Sequence, residues 1–343
     1  MKFIAITRIT HLPDPITGRV TSATERLRET VDGAVQAEEL GFDGFGVEER
    51  HERPFVSSSA PVVLSHIAAR TSVIRLFAAI TAVSLLDPVR AFEDYSMLDH
   101  LCGGRLELII GEDAVTRTGR FRPPRQDAET WPRPLQQPIR IWQGGATSTD
   151  SADLAARWGD PLFSTSVTSP VESSAALVRC YRERWEFYGW DPAAILIGAG
   201  TAGYYSARTS QQAIETYRPI YNARQVRLRA LGLKPAFCSL EDAIERGSIL
   251  IGSPQQITDQ VLRYHERLGH EVMHLPSDAD GLTGAQHRES LELFFDKIAP
   301  VLRREIPSRP FPQAPVTPGS APFVPALSVP ASFVPALQDG LGE

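Results

Sequence analysis

Three cysteines, Cys102, Cys180 and Cys238, are too few and too scattered for a disulfide framework, and no CxxC spacing is there to hold a metal. They fit reduced thiols and a cytoplasmic protein. No uninterrupted apolar run approaches the ~18 residues that a membrane-spanning helix needs. Met1 to Ile6 is too short for a signal-peptide core and reads as a first strand. Positive charge is not in excess either: 35 Lys and Arg against 41 Asp and Glu leave a net charge of −6, with a pI near 5.8. Neither nucleic acid nor an anionic membrane is therefore expected as a main partner. What remains, 42% hydrophobic and 22% charged over 343 residues, is ordinary for a globular chain and long enough for one large α/β domain or two small ones.

The clearest unit runs from Asp87 to Gly111. Asp87 as N-cap before Pro88 starts a helix, and Val89, Phe92, Tyr95, Leu98 and Leu101 recur at helical spacing until Gly103-Gly104 stops it. Arg105–Ile110 then reads as a short strand covered on both faces. The same alternation repeats along the chain. Strands are expected at 3–7, 42–47, 73–80, 105–110, 139–143, 162–165, 194–199 and 272–275. Helices are expected at 24–40, 60–71, 148–158, 169–188, 210–231 with an interruption near Pro219, 254–268 and 285–304. Eight strands alternating with helices predict an α/β fold with a parallel sheet, either a (β/α)8 TIM barrel or an open doubly wound sheet. Residues 307–343 differ in kind. They hold nine of the 27 prolines and a short repeat, Phe323–Leu327 and Phe333–Leu337. Proline removes the backbone donor that helices and central strands need, so 1–306 is read as the domain and 307–343 as an extended, disordered tail. The tail is either a partner-binding segment or a tolerated extension.

DPVR, a helix ending MLDHLCGGRLEL and a strand ending in glycine together resemble the luciferase-like flavin-dependent monooxygenases. ELGFDGFGVEERHERPFVSSS at 39–59, HIAARTSVIRLFAAITAVSLL at 66–86 and TGRFRPPRQDAETWPRPLQQPIRIWQGG at 118–145 fit the same pattern in the same order, as does the later GSPQQ at 252–256. The resemblance covers residues 1–307 and implies a (β/α)8 barrel with chemistry at the C-terminal ends of its strands.

It also implies where to look. Glu49, Arg50 and His51 follow the second strand, where relatives carry an acidic residue and two histidines. Arg50 replaces the first of these, and with a pKa above ~12 it can hold an anion but cannot exchange a proton. His51 can do so. Alternatively, Glu49 and Arg50 simply pair and His51 caps the loop. Ala78 and Ala79, with Ile80, match the family's turn beneath the isoalloxazine ring, where a non-proline cis peptide is common. Gly144, Gly145, Ala146, Thr147 and Ser148 open a helix whose free N–H groups, dipole and hydroxyls suit the cofactor phosphate. Ser253 and Pro254 read as an ordinary helix cap. The main departure follows Gly111. Relatives place a phosphate-binding arginine there, and this chain has Glu112-Asp113. A block equal to about 30–40 residues, one barrel repeat, is also absent. Arg117, Arg120 or Arg50 would then supply the positive charge, and the barrel would lack one outer helix between strands 4 and 5.

The activity implied is a monooxygenase using reduced FMN, delivered by a flavin reductase, and O2 on a small organic substrate. Coenzyme F420 is the alternative cofactor. Relatives and an uncovered barrel face point to a homodimer. Two other classes stay open: a flavin- or ligand-binding relative that has lost turnover, and a scaffold working through its proline-rich tail.

Overall fold

Alternating apolar residues give the first strand two faces, and those faces set the architecture. In the computed structural model, residues 1–111, 131–144, 148–164, 170–230, 232 and 234–311 are described. Strand β1 (Lys2–Thr7) sends Ile4 and Ile6 to an inner cluster and Phe3 and Ala5 to an outer one. The same two-residue period runs through β2 (Gly44–Val47), β3 (Arg75–Thr81), β4 (Leu106–Ile110), β5 (Arg140–Gly144), β6 (Leu162–Ser164) and β7 (Ile197–Ala199). Strand β10 (Val272–Pro276) pairs in parallel with both β1 and β7 and closes an eight-stranded barrel. Phe77, Ala79, Ile109, Trp142, Phe163 and Val272 fill it, so the interior is a packed core rather than a pore.

Helices cover the outside. Helix α1 (Ala23–Leu40) starts at a capping box of Ser22 and Glu25 and ends at Gly41 in the left-handed conformation. Then come α2 (Ala60–Ala68), α3 (Pro88–Leu101, capped by Asp87), α4 (Thr149–Trp158) and α5 (Val171–Phe187). The expected barrel is therefore present and the open sheet is not. The reading of one missing outer helix falls mostly on residues 112–130, outside the described residues; 131–139 carry no helix.

Two strands were not expected. β8 (Gly203–Ser206) and β9 (Ile249–Gly252) form a separate parallel pair between β7 and β10. They enclose α6 (Ser210–Ala230) and α7 (Leu240–Arg246), and α8 (Pro254–Leu268) leads back to β10. This excursion has its own buried cluster, including Tyr205, Tyr217, Ile220, Leu240 and Ile251. Helix α6 runs through Pro219 without a break, correcting the expected interruption. The missing N–H there costs about 3 kcal/mol in a bare helix, and burial of Tyr217, Ile220 and Tyr221 around it supplies the compensation.

The chain ends its described course at the opposite rim. After α9 (Gly284–Leu293), a π-helical turn and α10 (Ala299–Glu305), Phe311 seats under the barrel. Its ring lies 4.6 Å from Lys2 Nζ, 5.6 Å from the Arg75 guanidinium and 6.0 Å from the Phe77 ring. Inside that rim Glu107 is fully buried. Arg75 Nε lies 2.7 Å from one of its oxygens and Trp142 Nε1 donates to the other. Residues 312–343, most of the expected tail, lie outside the described residues.

Candidate active site

Strand β2 ends at Val47, and the next residues turn over the C-terminal mouth of the barrel. Glu49 N–H donates to Ile80 O at 3.1 Å and fastens this turn to the end of β3. The Glu49 side chain is sealed in. One oxygen accepts from the Thr81 hydroxyl and from Ala82 N–H at 3.2 Å; the other lies 2.9 Å from His51 Nε2. Thr81 Oγ1 is in turn 2.7 Å from the Tyr95 hydroxyl, on the buried face of α3. A carboxylate only accepts, so Thr81 donates to Glu49 and Tyr95 donates to Thr81. Burial pushes the Tyr95 phenol well above its ordinary range and keeps it a donor. The result is a directional line from the core, Tyr95 to Thr81 to Glu49, ending at a half-exposed imidazole. With Nε2–H donated to Glu49, neutral His51 keeps its lone pair on Nδ1 and can accept a proton there.

Arg50 takes no part in this line. Its Nε donates to Glu48 Oε1 at 2.7 Å, its Nη1 lies 3.4 Å from Glu52, and the guanidinium stacks 5.6 Å from the Phe55 ring. Of the two alternatives read from the sequence, the Glu49–Arg50 pair does not form: Arg50 is offset by Glu48 and Glu52, and Glu49 holds His51.

Beside this pair the ends of β3, β4 and β5 carry Ala79, Gly111 and Gly144, closed from below by the Ile80 and Ile109 side chains. The peptide between Ala79 and Ile80 is cis, as the family resemblance led us to expect. Ala79 faces the interior, whereas Ala78 belongs to the outer core and presents no side chain to the mouth. A Cβ on Gly144 would fall 2.3 Å from Ile109 Cγ2, and one on Gly111 would fall 3.0 Å from Ile80 Cγ2. Any larger residue at the end of β5 would clash, and one after β4 would press on Ile80. Ser148 caps α4, its hydroxyl oxygen accepting from Ser151 N–H at 3.3 Å. Gly145, Ala146, Thr147 and Arg120, with Arg117, Glu112 and Asp113, lie outside the described residues.

Sequence reasoning missed several groups at this mouth. Tyr95 read simply as helix core. His274, inward-facing on β10, accepts from Thr201 N–H at 3.3 Å, and burial lowers its pKa to about 4. Its only signal was a polar residue inside a short apolar strand. Among the described residues no group of His, Cys, Asp and Glu could hold a metal, and no helix is long and apolar enough to cross a membrane.

A closed parallel barrel with a carboxylate-held histidine and small residues at its C-terminal mouth is of the (β/α)8 class, whose chemistry sits at that end. Within that class the chain belongs to the luciferase-like monooxygenase family, whose model matches residues 1–114 and 111–271. N-acetyl-S-alkylcysteine monooxygenase of Bacillus subtilis is 32% identical over 106 residues, 31% of this chain and 32% of its own. An uncharacterised protein of Sinorhizobium fredii, y4wF, is 42% identical over 83 residues, 24% of each chain. These matches span only about a quarter to a third of the relatives' own lengths. Among solved structures, monooxygenase RslO1 from Streptomyces bottropensis superposes with a TM-score of 0.72 at 20% identity, covering 88% of this chain and 99% of that one. The oxygenating constituent of 3,6-diketocamphane monooxygenase of Pseudomonas putida, solved with FMN, does so at 0.65 and 17% identity, covering 88% and 98%. At such identities the structural likeness shows the fold.

Proposed function

We propose that the protein is a flavin-dependent monooxygenase that takes reduced FMN from a separate reductase and oxygenates a small organic substrate. The supporting observation is the floor formed by Ala79, Gly111 and Gly144 next to the Glu49–His51 pair, a shape that suits a flat ring with a proton-exchanging group at its edge. The bound cofactor would supply two electrons to O2, so that one oxygen enters the substrate and the other leaves as water. The chain's own work is to seat the ring on the floor, exclude water and hold His51 Nδ1 ready for a proton. The N-terminus of α4, with Ser148, Thr147 and the preceding glycines, is the place for the phosphate, with Arg120 from the preceding segment as its cation. Three free cysteines support a cytoplasmic setting. A homodimer is supported by Val62, Met97 and Leu101, exposed on α2 and α3, which pack together.

F420 is the alternative cofactor, since two fold neighbours are F420-dependent enzymes. The second reading is a binding protein without turnover. What favours it is the charge at Arg50, already offset by Glu48 and Glu52 and so not available to an anion. A fluorescence titration with FMN, oxidised and then photoreduced under argon, separates these readings. Saturable binding of the reduced form, followed on admitting air by a transient near-ultraviolet absorbance before the oxidised spectrum returns, is expected. Binding without that transient supports the non-catalytic reading. Binding of neither form, with saturation by F420, replaces the cofactor.

A further inference from the structure

The closed strand order sets β1, β10 and β7 across the mouth from β4 and β5. On that side, away from the glycine floor, the charge is positive. Arg8 follows β1 and is exposed; Ile4 and Ile6 face inward, and the strand period carries Arg8 the same way. Arg224 and Arg227 continue the face of α6 that buries Tyr217 and Ile220. Arg224 Nη1 donates to Ala202 O at 2.7 Å, pinning the guanidinium above the β7–β8 junction. The loop after β10 lies between these elements. A Cβ on Gly281 would fall 2.7 Å from Pro15 Cγ and 3.3 Å from Ile220 Cγ1, so this loop touches both the β1 loop and α6.

Two carboxylates share the edge. Asp278 is engaged, accepting from Thr7 Oγ1 at 2.8 Å and pairing with Arg26. Asp280 is exposed to solvent at this edge. Crowding by the surrounding protein pushes its carboxyl up, Asp278 adds to the effect, and Arg224, Arg8 and Arg227 oppose it. The charge of Arg8 is also felt at His274, where it helps to lower the imidazole pKa. Among the described residues Arg8, Arg224 and Arg227 form no ion pair, and Asp278 is taken by Thr7 and Arg26. Three arginines against Asp280 leave this edge with an excess of positive charge. The backbone is also unusual here. The two non-glycine residues with positive φ in the described chain are Ile9, at 46°, and Asp280, at 52°. A β-branched residue in that region is an outlier, and such conformations cluster where ligands are clamped.

We propose that this edge binds the carboxylate of an organic-acid substrate, with Arg8, Arg224 and Arg227 as its ligands. Guanidinium forks match carboxylates in geometry as well as charge. The substrate's reactive end would then point across the mouth toward Ala79 and Gly144, an orientation that rests on the flavoenzyme reading.

The test is calorimetric titration of the full chain, with and without FMN, against phenylacetate, octanoate and N-acetylmethionine, each beside its methyl ester. At least one acid is expected to bind saturably, and about tenfold or more tighter than its ester, as a charge-assisted contact should. Arg8→Gln and Arg224→Gln should each remove about that factor for the acid and leave the ester unchanged. Arg224→Lys, which keeps the charge, should restore part of it. Acids and esters binding alike, or no acid saturating, overturns the proposal. So does a loss of FMN affinity in Arg8→Gln or Arg224→Gln, which would assign these arginines to the cofactor phosphate. A protein that binds acids but never FMN retracts the flavin reading and leaves the anion site standing.

Discussion

His51 Nε2 lies 2.9 Å from Glu49 Oε1, and it is the carboxylate, not the imidazole, that is buried. The buried partner is fixed by Thr81 and the Ala82 N–H, so the exposed ring inherits a fixed tautomer and orientation. His51→Gln is expected to lower kcat by about 100-fold or more if the ring moves a proton, with flavin binding unchanged. Glu49→Gln should cost less in kcat, because its amide oxygen can still accept from Nε2 but no longer fixes the tautomer of the ring. Steady-state kinetics of both variants check this, and unchanged kcat for Glu49→Gln would show that the carboxylate only builds the turn.

Gly144→Ala tests the floor. The new Cβ would fall 2.3 Å from Ile109 Cγ2, which cannot move freely inside the packed barrel. A loss of about 1–3 kcal/mol in urea unfolding is expected from overpacking, together with weaker binding of reduced flavin. Full stability with full flavin affinity would show that the β5 end relaxes and the ring does not rest there.

The other end of the barrel predicts a stability effect without a catalytic one. Glu107 sits wholly buried between Arg75 and Trp142. Glu107→Leu takes the carboxylate from beside the buried Arg75 charge and is expected to cost about 3–5 kcal/mol. Adding Arg75→Met should recover most of that loss, because a buried pair replaced by apolar groups is often neutral. Denaturation curves of the single and double variants decide it, and an additive second loss would refute the pairing.

His270 gives an acid limb to stability. It is fully buried, neither ring nitrogen has a hydrogen-bond partner among the described residues, and burial lowers its pKa from 6.5 to about 3, with His265 and the N-terminus adding to the shift. The unfolded chain therefore binds this proton more tightly than the folded one. Above pH ~6.5 the group is neutral in both states and contributes no slope; below it, stability falls by up to about 1.4 kcal/mol per pH unit until the folded value is reached. His270→Leu should flatten the loss between pH 6 and 4 relative to the wild type, as followed by chemical denaturation at several pH values. Parallel curves would place the acid sensitivity in the carboxylates.

The barrel was legible because its signals are local: an N-cap before proline, a glycine after a helix, an apolar run of strand length. Asp87, Gly103 and the run ending at Ile110 are instances, and the structure places each where it was read. β8 and β9 escaped because GYYS and ILIG are four residues long and make their sheet only with each other, across an intervening pair of helices. Pairing at that separation leaves no periodicity to detect. The site was legible by position and less so by partner. His51 was singled out, but its tie to Glu49 and the descent through Thr81 to Tyr95 join residues far apart in sequence. Glu107 and Arg75 were hidden inside stretches that read as apolar strands, because burial of a charge is decided by what faces it.

The pair β8 and β9, with its own small core, stands outside the ring of strands that holds the barrel together. One side of the mouth is thus built on the load of the whole fold, where a single methyl on Gly144 meets resistance. The other, carrying Arg224 and Arg227, rests on a strand pair outside the ring, tied to the rest through Tyr204 and Leu250 in the outer core and through Ser290, among other contacts. Substitutions on α6 can then change what the mouth accepts while the opposite wall stays as it is. Drift in preference and constancy in chemistry then fall to different parts of one polypeptide.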